Sequence, residues 1–305
     1  MSKRLMYLLG ILLTISIGTY FSWKLCCSHD LDEEKQTQDE VNIEPKAYKN
    51  PTLYPFSIKD DSGNFSLNAK DNFNFESSKY NFLSPVSSSL DMEIGKLKDY
   101  LTSTNNKSLS ITGFYTPDEQ NTSVYPNLGV ARAISVKNYL NSKGVPSKII
   151  DTYSEEKIDM IADSLKVYYG PLAFSISELK DDSEELSKLG EFIKAHPLVL
   201  YFKTGQSNIS LNSEERQELA DIAKYLDKVE GSSCIITGHT DNTGDATVNL
   251  GLGQKRADFT KQYLVNNGIP SDKITAISKG QTEPIADNTT EEGKAKNRRT
   301  VITIK

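Results

Sequence analysis

Hydrophobic patterning divides the chain into unlike stretches. Leu5 to Trp23, LMYLLGILLTISIGTYFSW, holds no charged side chain, and its length is close to the minimum for a helix that crosses a bilayer. Ser28 to Lys49 is polar and acidic without apolar periodicity, which predicts a tether. A coil of that length averages about 25 Å end to end and reaches about 75 Å. The last third alternates. His196 to Lys203 is a short apolar run suited to a buried strand. Asn212-Ser213-Glu214-Glu215 opens a helix with Leu219, Ile222, Ala223, Leu226 and Val229 at helical spacing, ended by Gly231. Ser233 to Gly238 predicts a second strand. A polar loop follows, then a helix from about Gly253 to Asn267 closed by Gly268 and Pro270. Lys273 to Lys279 and Thr300 to Ile304 predict two further strands. The order is βαβαβ plus a closing strand, an α+β fold of the α/β sandwich type.

The middle of the chain repeats this outline. Ile111-Thr112-Gly113 matches Ile236-Thr237-Gly238, Leu128-Gly129 matches Leu252-Gly253, and Arg132-Ala133 matches Arg256-Ala257. Tyr139-Leu140 matches Tyr263-Leu264, and Gly144 and Pro146 match Gly268 and Pro270. Phe73 to Ser78 parallels the strand before Gly205. Leu90, Ile94, Leu97 and Leu101 supply the matching amphipathic helix, and Ser164 to Ile176 the closing strands. So many correspondences in order predict two tandem copies. The expected organisation is a membrane anchor over 1–27, an acidic tether over 28–50, a first domain over 51–180 and a second over 185–305.

Lys3 and Arg4 precede the apolar run, so the positive-inside rule leaves the N-terminus cytoplasmic and the body in the periplasm. A cleaved signal peptide would need a small-x-small site, and Phe21, Trp23, Lys24 and Leu25 do not supply one. The expectation is a cell-envelope protein held in the inner membrane. Outer-membrane placement would need lipid on Cys26, whose flank Trp23-Lys24-Leu25 does not suit it. Cys26 and Cys27 could join two chains into a homodimer, carry lipid, or simply mark the membrane edge. Cys234 lies in an apolar run and suits a core.

Net charge is −6 and the isoelectric point about 5.3, with no basic stripe, so a nucleic-acid partner is not expected. His29, His196 and His239 have no metal-ligand spacing to the cysteines. Asp241, Asn242, Gly244 and Asp245 lack the later glutamate of a calcium loop. No nucleophile elbow, metal triad or supported carboxylate pair is present, so neither an enzyme nor a cofactor is expected.

The candidate chemistry lies in TGHTDNTGDATVNLGLGQKRAD, Thr237 to Asp258. Asp241 sits in a Gly/Asn/Thr-rich loop, and Arg256 about one turn into the expected helix. The two either form a salt bridge that orders the loop or grip a ligand carrying both charges. A free amino-acid end needs an acceptor-only anion and a forked donor; aspartate and arginine supply these. The helix entrance would add main-chain N–H groups and a positive helix end.

These residues resemble the OmpA-like peptidoglycan-binding domain from about Leu198 to the C-terminus. The resemblance rests on GHTDNTG (Gly238 to Gly244), Asn249 with Leu252, Lys255-Arg256-Ala257, Tyr263-Leu264, Gly268-Ile269, Lys279-Gly280 through Glu283-Pro284, and Asn297-Arg298-Arg299. It implies a βαβαββ sandwich and non-covalent capture of the diaminopimelate part of a peptidoglycan stem peptide; with the internal repeat and the apolar run, the expectation is two tandem OmpA-like βαβαββ domains after a transmembrane helix. It implies that Asp241 pairs with the ligand ammonium and Arg256 with its carboxylate. Thr240, Asn249, Leu252 and Arg299 match positions that line or brace the pocket. Arg298 reads as a solvated basic edge. The first copy departs from this pattern. Thr116-Pro117 stands where the aspartate falls, with Asp118 displaced beyond an insertion. Arg132 is kept, Asn127 lies beside Leu128, and the closing Asn-Arg-Arg is missing. That copy is expected to be a spacer, a dimerisation surface or a binder of something else. The whole chain is expected to tether a membrane-anchored protein to the cell wall; the alternative is a periplasmic assembly scaffold without direct wall binding. A motor stator would need a carboxylate within Leu5 to Trp23, and none is there.

Overall fold

The computed structural model describes residues 13–22, 50–63, 65–208, 210–266 and 269–305. Residues 13–22 are helical. Among the described residues no helix is long and apolar enough to cross a membrane. The rest of the expected anchor, nearly all of the tether, and Cys26 and Cys27 lie outside the described residues. Residues 1–48 and 49–305 form separate compact units.

In the second unit, the chain up to Glu178 builds a hairpin of β1 (Phe56–Lys59) and β2 (Ser66–Ala69), then the short β3 (Phe75–Glu76). Helix α1 (Ser88–Ser103) starts where Ser87 accepts from the amide of Leu90. It buries Leu90, Ile94, Leu97 and Leu101, the stripe that its apolar spacing predicts. Strand β4 (Lys107–Tyr115), helix α2 (Leu128–Ser142) and strand β5 (Ile150–Glu156) form a parallel crossover unit. Strand β6 (Val167–Tyr168) pairs with β3, and β7 (Leu172–Glu178) closes the sheet in the order β5-β4-β7.

The following half contains α3 (Ser183–Ala195), β8 (Leu198–Tyr201), α4 (Ser213–Lys228), β9 (Cys234–His239), α5 (Ala246–Asn266), β10 (Ile274–Gly280), α6 (Glu291–Asn297) and β11 (Arg299–Ile304). Its sheet runs β10-β9-β11-β8. A capping box joining Asn212 and Glu215 starts α4. The central strands match: β4 and β9 each pair in parallel with the strand after the crossover helix and antiparallel with the last strand. Each also lets its helix approach as closely as glycine permits. A Cβ on Gly113 would stand 2.0 Å from the carbonyl oxygen of Gly129, and one on Gly238 1.9 Å from that of Gly253.

The two halves each have a hydrophobic core. The second core also takes in Val124 and Tyr125, at 0% and 2% exposure, from the loop after β4. Lys228 reaches from the second half to Asp151 at 2.7 Å, and Lys137 from the first to Asp227 at 2.5 Å.

Three elements differ from the sequence expectation. Helices α3 and α6 form within stretches to which no element was assigned. Helix α5 begins at Ala246 rather than near Gly253. Asp245 caps it, accepting from the amides of Thr247 at 2.8 Å and Val248 at 3.2 Å. Asn249, Gly251 and Gly253 are weak helix formers, and their run hides the first turns.

Candidate functional site

The site sits where the ends of β8, β9 and β11 meet α5. Arg256 lies ten residues into α5, about 15 Å from its start, so the helix entrance does not act on it. Its side chain is fully buried. Nε donates to the carbonyl of Gln206 at 2.9 Å, Nη1 to that of His239 at 2.9 Å, and Nη2 to that of Lys203 at 3.4 Å. The guanidinium lies 5.2 Å from the centroid of the Phe202 ring. Burial pushes its pKa down to about 10, with Asp241 opposing the shift, so it stays charged at neutral pH. Three of the five guanidinium N–H groups are engaged in this way, and among the described residues none meets a carboxylate.

Asp241 does not pair with Arg256. Its Oδ2 accepts from Nη1 of Arg298 at 2.8 Å, and its Oδ1 from the amide of Thr243 at 3.0 Å. Burial, the largest influence on this carboxyl, raises its pKa, but the bonds from Arg298 and Thr243 outweigh it and hold the group below the usual range. Arg298 is therefore no solvated edge: its side chain is 11% exposed and tied to Asp241. The sequence gives no sign of this partner, because Arg298 lies at the turn between α6 and β11, where no periodic pattern sets side-chain direction.

The other expected positions fall into supporting places. Thr240 is buried; its amide bonds the carbonyl of Gly280 at 2.9 Å and its hydroxyl that of Asp241 at 2.8 Å. Asn249 is buried in α5 and donates to the carbonyl of Thr243 and to Oε1 of Gln281, clamping the aspartate loop to the β10 end. Leu252 is half-buried and shares a helix face with Asn249 and Arg256. Arg299 is buried and donates to the carbonyls of Asn297 and Glu283. Asn297 has a role the motif alone did not reveal. Its Oδ1 accepts from the amides of Ile285 and Ala286, and its Nδ2 reaches Asn288, whose own Oδ1 takes the amide of Asn242. Asn297 thus braces the loop that faces Asp241.

His239 is buried and its Nδ1 has no partner among the described residues. Burial pushes its pKa down to about 4, assisted by Arg299, which keeps the imidazole neutral. Among the described residues, no group of His, Cys, Asp and Glu is arranged to hold a metal. A cleft of about 290 Å³ between α2 and α4, lined by Ile134, Asn138, Ala220 and Lys224 among others, lies away from this constellation.

Residues 201–298 match the family model described as the OmpA family. The peptidoglycan-associated lipoprotein of Buchnera aphidicola subsp. Baizongia pistaciae is 33% identical over 166 residues, covering 54% of this chain and 84% of that protein. The chain belongs to the OmpA family. The peptidoglycan-binding protein ArfA of Mycobacterium tuberculosis is 37% identical over 100 residues, 33% of this chain and 31% of that protein. Among solved structures, the peptidoglycan-associated lipoprotein from Burkholderia pseudomallei is 29% identical, with a TM-score of 0.33, over 35% of this chain and 89% of that one. Asp241, Arg256 and Arg298 all fall within the OmpA family match, and Arg299 lies one residue beyond it.

Proposed function

We propose that the second half binds peptidoglycan non-covalently, taking the free amino-acid end of a diaminopimelate stem peptide. Arg256 receives the ligand carboxylate and Asp241 its ammonium, beside Arg298. The observation that carries this reading is a buried guanidinium fixed by three carbonyls with no carboxylate of its own. Asp241 is spared for a cationic ligand because Arg298 takes only one of its oxygens and the Thr243 amide the other, leaving further lone pairs. The named wall-binding relatives, ArfA and the peptidoglycan-associated lipoprotein, support the same reading. With Leu5 to Trp23 as anchor and 28–50 as tether, the chain would hold a membrane to the wall. We infer as well that residues 51–180 are a diverged copy of the second half, on the strength of the matching registers of β4 and β9 and the two glycine contacts.

Pull-down on isolated sacculi tests the site. Arg256 carries three internal bonds, so its truncation to alanine would confuse folding with binding. Arg256→Lys keeps the charge and loses the fork, and Asp241→Asn keeps the shape. Each is expected to weaken binding by about tenfold or more. If both variants stay folded and bind as the native chain does, the site is wrong. Equal binding to sacculi whose stem peptides carry lysine would remove the diaminopimelate specificity and leave wall binding standing.

A further inference from the structure

Arg132 of the first half sits in a socket that repeats the one around Arg256. Its Nε donates to the carbonyl of Lys79 at 3.1 Å, its Nη1 to that of Phe114 at 2.8 Å, and it lies 5.3 Å from the Phe75 ring centroid. Gln206, His239 and Phe202 provide the corresponding contacts for Arg256. The position before each Nε acceptor is left-handed in both halves, with φ of 62° at Ser78 and 68° at Gly205.

One feature is not repeated. Oε1 of Glu119 accepts from the amide of Ser78 at 2.9 Å and from Nη2 of Arg132 at 2.5 Å. Oε2 accepts from the amide of Thr116 at 3.0 Å and from Nη1 of Arg132 at 3.1 Å. Two main-chain amides and a two-pronged guanidinium thus enclose a single carboxylate, whose side chain is 1% exposed. Glu119 reaches this place because the loop after β4 runs from Thr116 to Asn127, whereas the loop after β9 runs only from Thr240 to Asp245. In the second half the counterparts of the two amides belong to Gly205 and Asp241. Among the described residues they donate to no protein group.

We propose that the first half retains a carboxylate-binding site whose ligand is the chain's own Glu119. The donors of that site, Arg132 with the amides of Ser78 and Thr116, accept any small carboxylate once the Glu119 side chain is removed. While Glu119 is in place the first half takes no external carboxylate, and wall binding is left to the second half. The same comparison places the ligand carboxylate of the second half on Arg256 and the amides of Gly205 and Asp241, a corollary that rests on the wall-binding reading. The site in the first half does not depend on that reading, and its test involves no peptidoglycan.

The experiment is thermal unfolding of the full chain with Glu119→Ala, in sodium acetate or formate against sodium chloride at equal ionic strength. In chloride the melting temperature should fall by about 10 °C, since a buried guanidinium loses its partner. Acetate should restore a large part of that loss, more than any gain it gives the native chain through Arg256. The excess should vanish in the Glu119→Ala, Arg132→Met double variant. Glu119→Gln fills the site with an amide, and should be destabilised yet indifferent to acetate. If Glu119→Ala does not fold in chloride, refolding yield in acetate is read instead, and a higher yield supports the site. Equal behaviour of Glu119→Ala in acetate and chloride, by either readout, overturns the proposal.

Discussion

Arg132 and Arg256 occupy matching sockets, and what closes each socket differs. Both are held by one carbonyl from the loop after an earlier strand, Lys79 or Gln206, and one from the central strand, Phe114 or His239, and lie beside a phenyl ring. Arg132 is neutralised by Glu119, whereas the nearby acid of the second half, Asp241, turns to Arg298. Each arginine is therefore first a structural residue that ties its crossover helix to the loop after an earlier strand and to the central strand. What pairs with it is decided by the loop after the central strand, which in one half brings an acid to the arginine and in the other does not.

Removing the two arginines should separate these roles most widely. Arg132→Met strands Glu119 in the interior without its cation and should cost about 4 kcal/mol. Arg256→Met strands only carbonyl groups and should cost about 2 kcal/mol. Urea unfolding of both variants checks the order; equal losses would show that Glu119 is not a true partner. Next comes a contrast expected to be absent. Gly113→Ala and Gly238→Ala each push a methyl group into a carbonyl oxygen, and each should cost about 3 kcal/mol. A large difference between them would break the correspondence of the two crossovers. The smallest effect concerns acid. Phe114 stands where the second half has His239, since each gives its carbonyl to the matched arginine. The His239 pKa is lowered in the folded chain from 6.5 to about 4, so its contribution is complete above about pH 6.5 and declines as pH falls towards 4. The loss should be on the order of 2 kcal/mol. His239→Phe should remove that part of the acid sensitivity, as unfolding at pH 7 and at pH 4.5 would show.

Much of the architecture was legible because burial follows period. Leu90, Ile94, Leu97 and Leu101 announce α1, and Leu219, Ile222 and Leu226 announce α4. The glycines of the central strands and crossover helices could be aligned before their contact was known. The start of α5 is hidden because Asn249 serves bracing and Gly253 close packing rather than helix propensity, and Gly251 between them is a further weak helix former. Within the site, residue types pointed to Asp241 and Arg256, yet not to how they are engaged. Arg298 is chosen over Arg256 as the aspartate's partner by side-chain direction at the turn between α6 and β11, which no local pattern encodes. Glu119 is not marked by the motif, because the aspartate's own position holds Thr116-Pro117. The insertion instead carries its acid back to the arginine from a few residues further on. A longer loop beside a retained arginine, with an acidic residue in it, is the signal to look for in other diverged copies.

The burial of Val124 and Tyr125 in the core of the opposite half has a mechanical consequence. A chain pulled between its two ends cannot shed the first half like a bead from a string, because that would tear Val124, Tyr125 and Ala131 from the neighbour's interior. Tension applied between the two ends would thus load both halves together.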